Sequence, residues 1–288
     1  MARRRKIDKK NITIAVLVAI ALAEAFFLFF PRPKKITVTK EKIVVTREKV
    51  KEKEMAVSRE ILPKPIAGHI AIIVDDCGYN LQPCEYSQKI KSPVTFSVLP
   101  NLQHSTDVAK CIHKNGKEVM LHLPMEPHYN EDKYPENYLI KTSMSKAKIE
   151  NILTKSLESV PLAAGVNNHM GSKVTEDTRA MTIVFDGLKN RRLFFIDSLV
   201  TNNSVCQAIA KSKALPFGKR GIFLDNENNR DYIEHQFELL AREARAKGYV
   251  IAIGHDRTLT LQIIQEQIQR LEKEGFKIIT VGELIKQR

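Results

Sequence analysis

His69-Ile70-Ala71-Ile72-Ile73-Val74-Asp75-Asp76-Cys77 is the stretch that decides the fold of this chain. Its first six residues have the length and β-branched content of a fully buried strand, and two adjacent carboxylates close it. In a parallel α/β sheet or barrel the C-terminal strand end is where ligands bind, and neighbouring aspartates there can divide labour, one gripping a metal and the other acting as a base. A lone Asp-Asp pair would read equally well as a strand running into a turn. This pair is not alone.

Working outward, apolar runs return every two to three dozen residues, the rhythm of repeated strand-helix units. Val94–Leu99 runs into Pro100-Asn101, and Glu118–Leu121 runs into His122-Leu123-Pro124-Met125-Glu126-Pro127-His128. Ala163–Val166 leads to Asn167-Asn168-His169, Leu193–Ile196 to Asp197-Ser198, Gly221–Leu224 to Asp225-Asn226, and Tyr249–Ile253 to Gly254-His255-Asp256. Only the last run, Lys277–Val281, lacks a polar ending. Amphipathic segments fill the gaps at 145–157, 177–189, 231–247 and 259–274. Polar residues placed at random would not all collect at one end of the strands. The pattern predicts an α/β, barrel-like domain with its active face at the strand C-termini.

Five of these strings carry a resemblance: Val74-Asp75-Asp76, Leu121 to Pro127, Asn167-Asn168-His169-Met170-Gly171-Ser172, Phe195-Ile196-Asp197-Ser198 and Ala252-Ile253-Gly254-His255. Together they resemble the divergent polysaccharide deacetylase family, over about His69 to Arg288. The most specific are His-Leu-Pro-Met-Glu-Pro and Asn-Asn-His-Met-Gly-Ser. The resemblance implies a deformed (β/α)7-type barrel, related to metal-dependent carbohydrate esterases that remove N- or O-acetyl groups from glycans.

Charge agrees with a single catalytic domain on a basic stalk. Of the formal +13, residues 1–10 carry +5 and residues 31–64 carry +6; once Glu24 is counted, +3 is left for residues 65–288. A domain so nearly balanced argues against a nucleic-acid partner. Arg3 to Lys10 precede an apolar stretch, Ile12 to Phe30, broken only by Glu24. That reads as a single-pass span of the cytoplasmic membrane, its basic flank inside and the rest of the chain on the extracytoplasmic side. Ala21-Leu22-Ala23 is an alternative cleavage site, but the apolar run continues through Phe26–Phe30, which favours an uncleaved signal anchor. The expected organisation is a basic cytoplasmic segment at 1–11, a transmembrane anchor at 12–30, a charged linker at 31–67 and the barrel at 68–288. In the linker, Val38-Thr39-Lys40-Glu41-Lys42 is echoed by Val45-Thr46-Arg47-Glu48-Lys49, without the second apolar stripe a coiled coil needs.

The four cysteines, Cys77, Cys84, Cys111 and Cys206, have no zinc-ribbon spacing. An exported protein could pair them, and their spacing leaves the pairing open. Cys77 reads as a small packing residue rather than a nucleophile.

A catalytic divalent metal takes about three protein ligands and keeps a position open. Asp76, His122 and His169, from three strand ends, are the expected ligands. Many polysaccharide deacetylases take two histidines from a His-Ser/Thr-x-x-His string, whereas here the histidine after His122 is His128, with Pro124 and Pro127 between. The second imidazole must come from elsewhere, and His169 suits better than His128. Mixed carboxylate and imidazole ligation fits zinc, the expected ion, as well as iron, cobalt or manganese. Asp75 is then the base that deprotonates the attacking water, and His255 the acid that protonates the departing amine or alcohol. Asp197 and Asp225 either orient His255, bind sugar hydroxyls or cap their strands. Glu126 is a ligand or supports one, and Asn168 holds an oxyanion or caps a turn. Asp256 stands where the family pattern leads one to expect proline.

Two function classes fit these residues. One is a metal-dependent deacetylase of an envelope glycan such as peptidoglycan. The other is a catalytically silent relative that binds glycan, or a cell-wall hydrolase partner, at the membrane surface.

Overall fold

The structure, a computed structural model, describes residues 66–129 and 138–287. The basic segment, the anchor at 12–30 and the linker up to residue 65 lie outside the described residues. Among the described residues no helix is long and apolar enough to cross a membrane.

Strands and helices alternate in the order β1 (Gly68–Cys77), α1 (Gln82–Lys89), β2 (Thr95–Val98), α2 (Ser105–Lys114), β3 (Glu118–Met125), α3 (Lys146–Ser159), β4 (Ala163–Met170), a 3-10 turn (Val174–Glu176), α4 (Thr178–Lys189), β5 (Phe194–Asp197), α5 (Cys206–Lys213), β6 (Phe217–Lys219), β7 (Ile222–Phe223), α6 (Arg230–Lys247), β8 (Tyr249–His255), α7 (Thr258–Lys273), β9 (Phe276–Ile278) and α8 (Val281–Lys286). Helix starts are set by side chains that accept otherwise unpaired amides: Ser145 from Lys148, Asp177 from Ala180, Asn229 from Tyr232 and Thr280 from Glu283.

The strands form one parallel sheet, ordered β6-β5-β4-β3-β2-β1-β8-β7, with β9 added to β1. Its two ends, β6 and β7, are separated in the chain by Arg220 and Gly221 alone. Across that seam the Arg220 amide donates to Asp197 O (3.0 Å) and the Gly221 amide to Ile251 O (2.8 Å). The sheet therefore curls back on itself as a deformed (β/α) barrel, as the sequence leads one to expect.

Parallel strands covered on both faces read as unbroken apolar runs, and β1 is the clearest case. Ile70, Ile72 and Val74 belong to the larger core, built with the surrounding helices. Ala71 and Ile73 belong to a smaller cluster on the other face, with Met120, Ile196, Ile251, Ile253 and, from α8, Leu284. Each of the larger of these side chains, removed wholly from water, contributes about 1.5–3 kcal/mol before entropy is counted.

Packing is close where β4 meets β5. A Cβ on Gly165 would lie 2.2 Å from Phe194 Cε2, and that ring is itself buried. Gly165→Ala is expected to destabilise the domain by about 1–3 kcal/mol, read as a lower urea midpoint; an unchanged midpoint would contradict this packing.

Several strands run past the ends read from the sequence. β3 extends through His122 to Met125 and β4 through His169 to Met170, so those strings are ladder rather than loop. The last apolar run splits, because the Thr280 hydroxyl caps α8 and the Val281 amide turns to Thr95 Oγ1 (3.1 Å).

Candidate metal centre and active site

Strand alternation would send the side chains of Asp75 and Asp76 to opposite faces. A bulge prevents this: between the pairs Val74↔Phe96 and Cys77↔Val98, β1 holds one residue more than β2. Asp76 takes the left-handed conformation, φ 61°, uncommon for a residue with a side chain. Both carboxylates consequently approach one nitrogen, His122 Nε2, at 3.6 Å from Asp75 Oδ2 and 3.3 Å from Asp76 Oδ1.

Register brings in the rest of the group. His122 on β3 pairs with Asn167 on β4, and His169 lies two residues further along β4 on the same face. His169 Nδ1 is 3.0 Å from Asp76 Oδ1 and 3.0 Å from His122 Nε2. Asp76 Oδ1, His122 Nε2 and His169 Nδ1 thus form a nearly equilateral triangle. Three ligands at zinc bond lengths of about 2.0–2.2 Å would stand on the order of 3.3 Å apart. The donor set passes a second test. Asp76 Oδ1 is buried and has no aligned hydrogen-bond partner, close as the imidazoles are. His122 Nδ1 is committed to Asn167 Oδ1 at 2.9 Å, an acceptor, which places the ring proton there and leaves the Nε2 lone pair facing the triangle. These three residues could hold a divalent metal ion.

Asn167 was not singled out by the sequence. Its Oδ1 accepts from Ser97 Oγ (2.5 Å) as well as from His122, and its Nδ2 donates to both Asp75 oxygens at 2.9 and 3.0 Å. One amide thereby orients a candidate ligand and a candidate base. The available signal was the i, i+2 spacing to His169, which puts both on one strand face. Asn168 faces away: its Nδ2 donates to Met170 O, its Oδ1 accepts from the Ser198 amide, and it ties β4 to β5.

On the other side of β1, Asp75 pairs in register with His255 of β8. Asp225, fully buried, accepts from His255 Nδ1 (2.8 Å), the His255 amide (3.0 Å) and Thr260 Oγ1 (2.8 Å). Among the roles open to it, Asp225 is the residue that orients His255. Phe223 stacks on the imidazole, 6.1 Å between centroids and 14° between planes, and the Arg220 guanidinium lies 3.9 Å over Phe223. Arg220 also donates to Ser198 O and Leu199 O, clasping the barrel seam beside His255. Nothing in the local sequence marks Arg220.

The remaining candidates stand apart from the triangle. Asp197 caps its strand end, accepting from the Leu199 amide (2.8 Å) and Ser204 Oγ (2.6 Å). Glu126 bonds Lys173 Nζ (2.6 Å) and both the amide and hydroxyl of Thr142, bracing loops. His128 pairs with Glu176 at the surface. Asp256 bonds Gln82 Nε2 (2.8 Å), and its amide donates to Asp75 O (2.9 Å).

Electrostatics divides the two aspartates. Burial raises the Asp75 pKa, outweighing the cationic pull of His122 and His255. Burial acts on Asp76 in the same sense, but its contacts with His122 and His169 win and hold it well below the carboxylate range. At His255, burial alone would lower the pKa, yet the Asp225 bond and charge keep it above its ordinary value. Burial and the neighbouring His122 charge depress His169 despite its contact with Asp76. Asp256 is pushed up to about 6 by burial, opposed in part by Gln82.

Fold and site together define a deformed (β/α) barrel with a candidate metal site at its strand C-termini. Comparison with known proteins takes this further. A family model described as divergent polysaccharide deacetylase matches residues 72–285. YibQ of Escherichia coli (strain K12) is 35% identical over 207 residues, covering 72% of this chain and 64% of that protein. The chain thus spans a little under two thirds of that relative's length. A protein of Haemophilus influenzae is 30% identical over 215 residues, covering 75% of this chain and 76% of its own. The crystal structure of an uncharacterized protein from Agrobacterium tumefaciens C58 shares the fold, with a TM-score of 0.72 at 21% identity over 77% of this chain and 90% of that one. The chain belongs to the divergent polysaccharide deacetylase family.

Proposed function

We propose that this domain is a metal-dependent hydrolase that removes acetyl groups from an envelope polysaccharide such as peptidoglycan. The observation that carries the reading is the Asp76–His122–His169 triangle lying against Asp75, with His255 beside it on the next strand. In this reading those three residues hold one divalent ion, zinc first, which when bound supplies Lewis-acid polarisation and lowers the pKa of water towards neutrality. Asp75, its carboxylate oriented by Asn167, takes the proton of the attacking water. His255, its pKa raised by Asp225 against the effect of burial, gives a proton to the departing nitrogen or oxygen. Family membership supports the glycan. So does the rim: of the six exposed large apolar residues among the described residues, four, Tyr79, Leu81, Tyr129 and Val200, lie on loops that leave the C-terminal ends of β1, β3 and β5, while Ile66 and Leu162 precede β1 and β4; the four offer flat or apolar surfaces on which sugar rings can pack.

Elemental analysis of the purified domain tests the site itself. About one divalent metal per chain is expected, lost from His169→Ala and kept by His128→Ala; the reverse pattern would refute the ligand assignment. Acetate release from acetylated glycan fragments tests the activity. A protein that binds glycan or an envelope hydrolase but releases no acetate with any divalent metal would establish the silent-relative reading instead.

We propose too that Ile12 to Phe30 anchor the chain in the cytoplasmic membrane with the barrel outside, a reading supported by the basic flank Arg3 to Lys10. Protease added to spheroplasts should digest the barrel. Protection until lysis would reverse the orientation.

A further inference from the structure

The four cysteines fall into two environments. Cys77 and Cys206 are fully buried, their thiols turned to Val74 O (3.3 Å) and Thr175 O (3.9 Å). Cys84 on α1 and Cys111 on α2 are only partly buried, and the Cys84 thiol is raised above its ordinary range first by burial and then by the neighbouring Cys111. Asn115, at the end of α2, spans the same joint: its Nδ2 lies 2.7 Å from Ser87 Oγ, 3.4 Å from Cys84 O and 3.7 Å from Cys111 Sγ. One side chain thus touches the backbone of the first cysteine and the sulfur of the second.

We propose that Cys84 and Cys111 form a modification site, a thiol pair that closes a disulfide stapling α1 to α2. The oxidant is a disulfide, either a small one such as oxidised glutathione or one carried by a protein. The Cys111 thiolate attacks one sulfur of the oxidant, forming a mixed disulfide and releasing the first oxidant thiolate. Cys84, deprotonated, then attacks the Cys111 sulfur and expels the second. Two protein S–H bonds are lost, one S–S bond forms, and the oxidant leaves as two thiols. Burial and the adjacent Cys111 push the Cys84 thiol up to about 12, so Cys84 is the poorer first nucleophile; once Cys111 is tied up in the mixed disulfide its share of that rise is gone, and the second attack is intramolecular.

The bond would act on the wall of the candidate active site. α1 begins at Gln82, whose Nε2 donates to Asp256 Oδ1 (2.8 Å) and whose Oε1 accepts from Thr258 Oγ1 (2.8 Å). Those two residues bracket the turn that follows His255. Fixing α1 fixes one side of that turn.

The test uses the full-length protein, reduced and then equilibrated with oxidised glutathione, alkylated under denaturing conditions and mapped by mass spectrometry. The number of alkylated thiols should fall from four to two, with one cross-linked peptide pair containing Cys84 and Cys111. The thermal midpoint should rise by roughly 5–10 °C, as expected for a disulfide in a domain of this size, and a reductant should reverse it. Cys84→Ser and Cys111→Ser should each lose the cross-link and the rise while melting, when reduced, near the reduced wild type. Four thiols surviving oxidation, a bond that uses Cys77 or Cys206, or a bond between chains would each overturn the proposal.

Discussion

Asp75→Asn is expected to keep its metal and lose at least about 100-fold in acetate release, the contribution typical of general-base assistance. Asp75 Oδ2 lies 3.6 Å from His122 Nε2, against 3.3 Å for Asp76 Oδ1, and Asp75 contributes no member of the ligand triangle. Its removal therefore leaves the metal its three donors. The asparagine is nearly isosteric, although Asn167 Nδ2 would lose half of a charged double hydrogen bond. A variant that releases acetate at wild-type rate would eliminate Asp75 as base. One that loses the metal would make Asp75 a ligand. His255→Ala gives the companion result: it should retain metal and slow amide substrates much more than activated esters, whose leaving groups hardly need a proton. Because His255 acts protonated, turnover should fall as pH rises through its pKa. Asp225 holds that pKa up, so Asp225→Asn should move the alkaline limb to lower pH. An unmoved limb would assign it to another group.

The second large effect falls on a residue that touches no reacting atom. Asn167→Ala should weaken metal binding by roughly 10–100-fold, the usual consequence of removing the partner that orients a ligating histidine. The reason is specific. Without Asn167 Oδ1, His122 Nδ1 keeps only weaker reasons to carry the ring proton, and the ring can present the wrong tautomer to the metal. The same change strips Asp75 of two hydrogen bonds while it stays buried, costing about 1–3 kcal/mol of stability. Metal titration and urea denaturation separate the two effects. If affinity is unchanged while stability falls, Asn167 serves Asp75 alone. Asn168→Ala, which loosens the β4–β5 brace on the opposite face, should alter stability with little effect on the metal.

Much of the architecture was legible because its causes are local. A buried parallel strand reads as a near-continuous apolar run, and β1 and β8 announce themselves by that rule. Helix starts were equally readable at Ser145 and Asp177, where a short polar side chain caps the first turn. β4 was read too short, since Asn-Asn-His has no apolar signal although each residue is held in the ladder by β3. At the other end Val281 has the composition of a strand but begins a helix, because Thr280 caps it and Thr95 draws its amide away.

The sequence by itself therefore determined the alternating βα order, the buried strands and the collection of carboxylates and imidazoles at their C-terminal ends, all consequences of residue type at short range. Tertiary structure alone decided how those groups meet. The β1 bulge and the left-handed backbone at Asp76 turn two successive carboxylates to one mouth, against the alternation a sequence reading must assume. The β3–β4 register sets Asn167 rather than Asn168 between His122 and Asp75. Closure of the sheet at Arg220 and Gly221 brings Asp225 under His255 and Phe223 onto its face. Register and closure are settled by contacts among residues far apart in the chain, where shifting a strand by one position reverses every side chain on it.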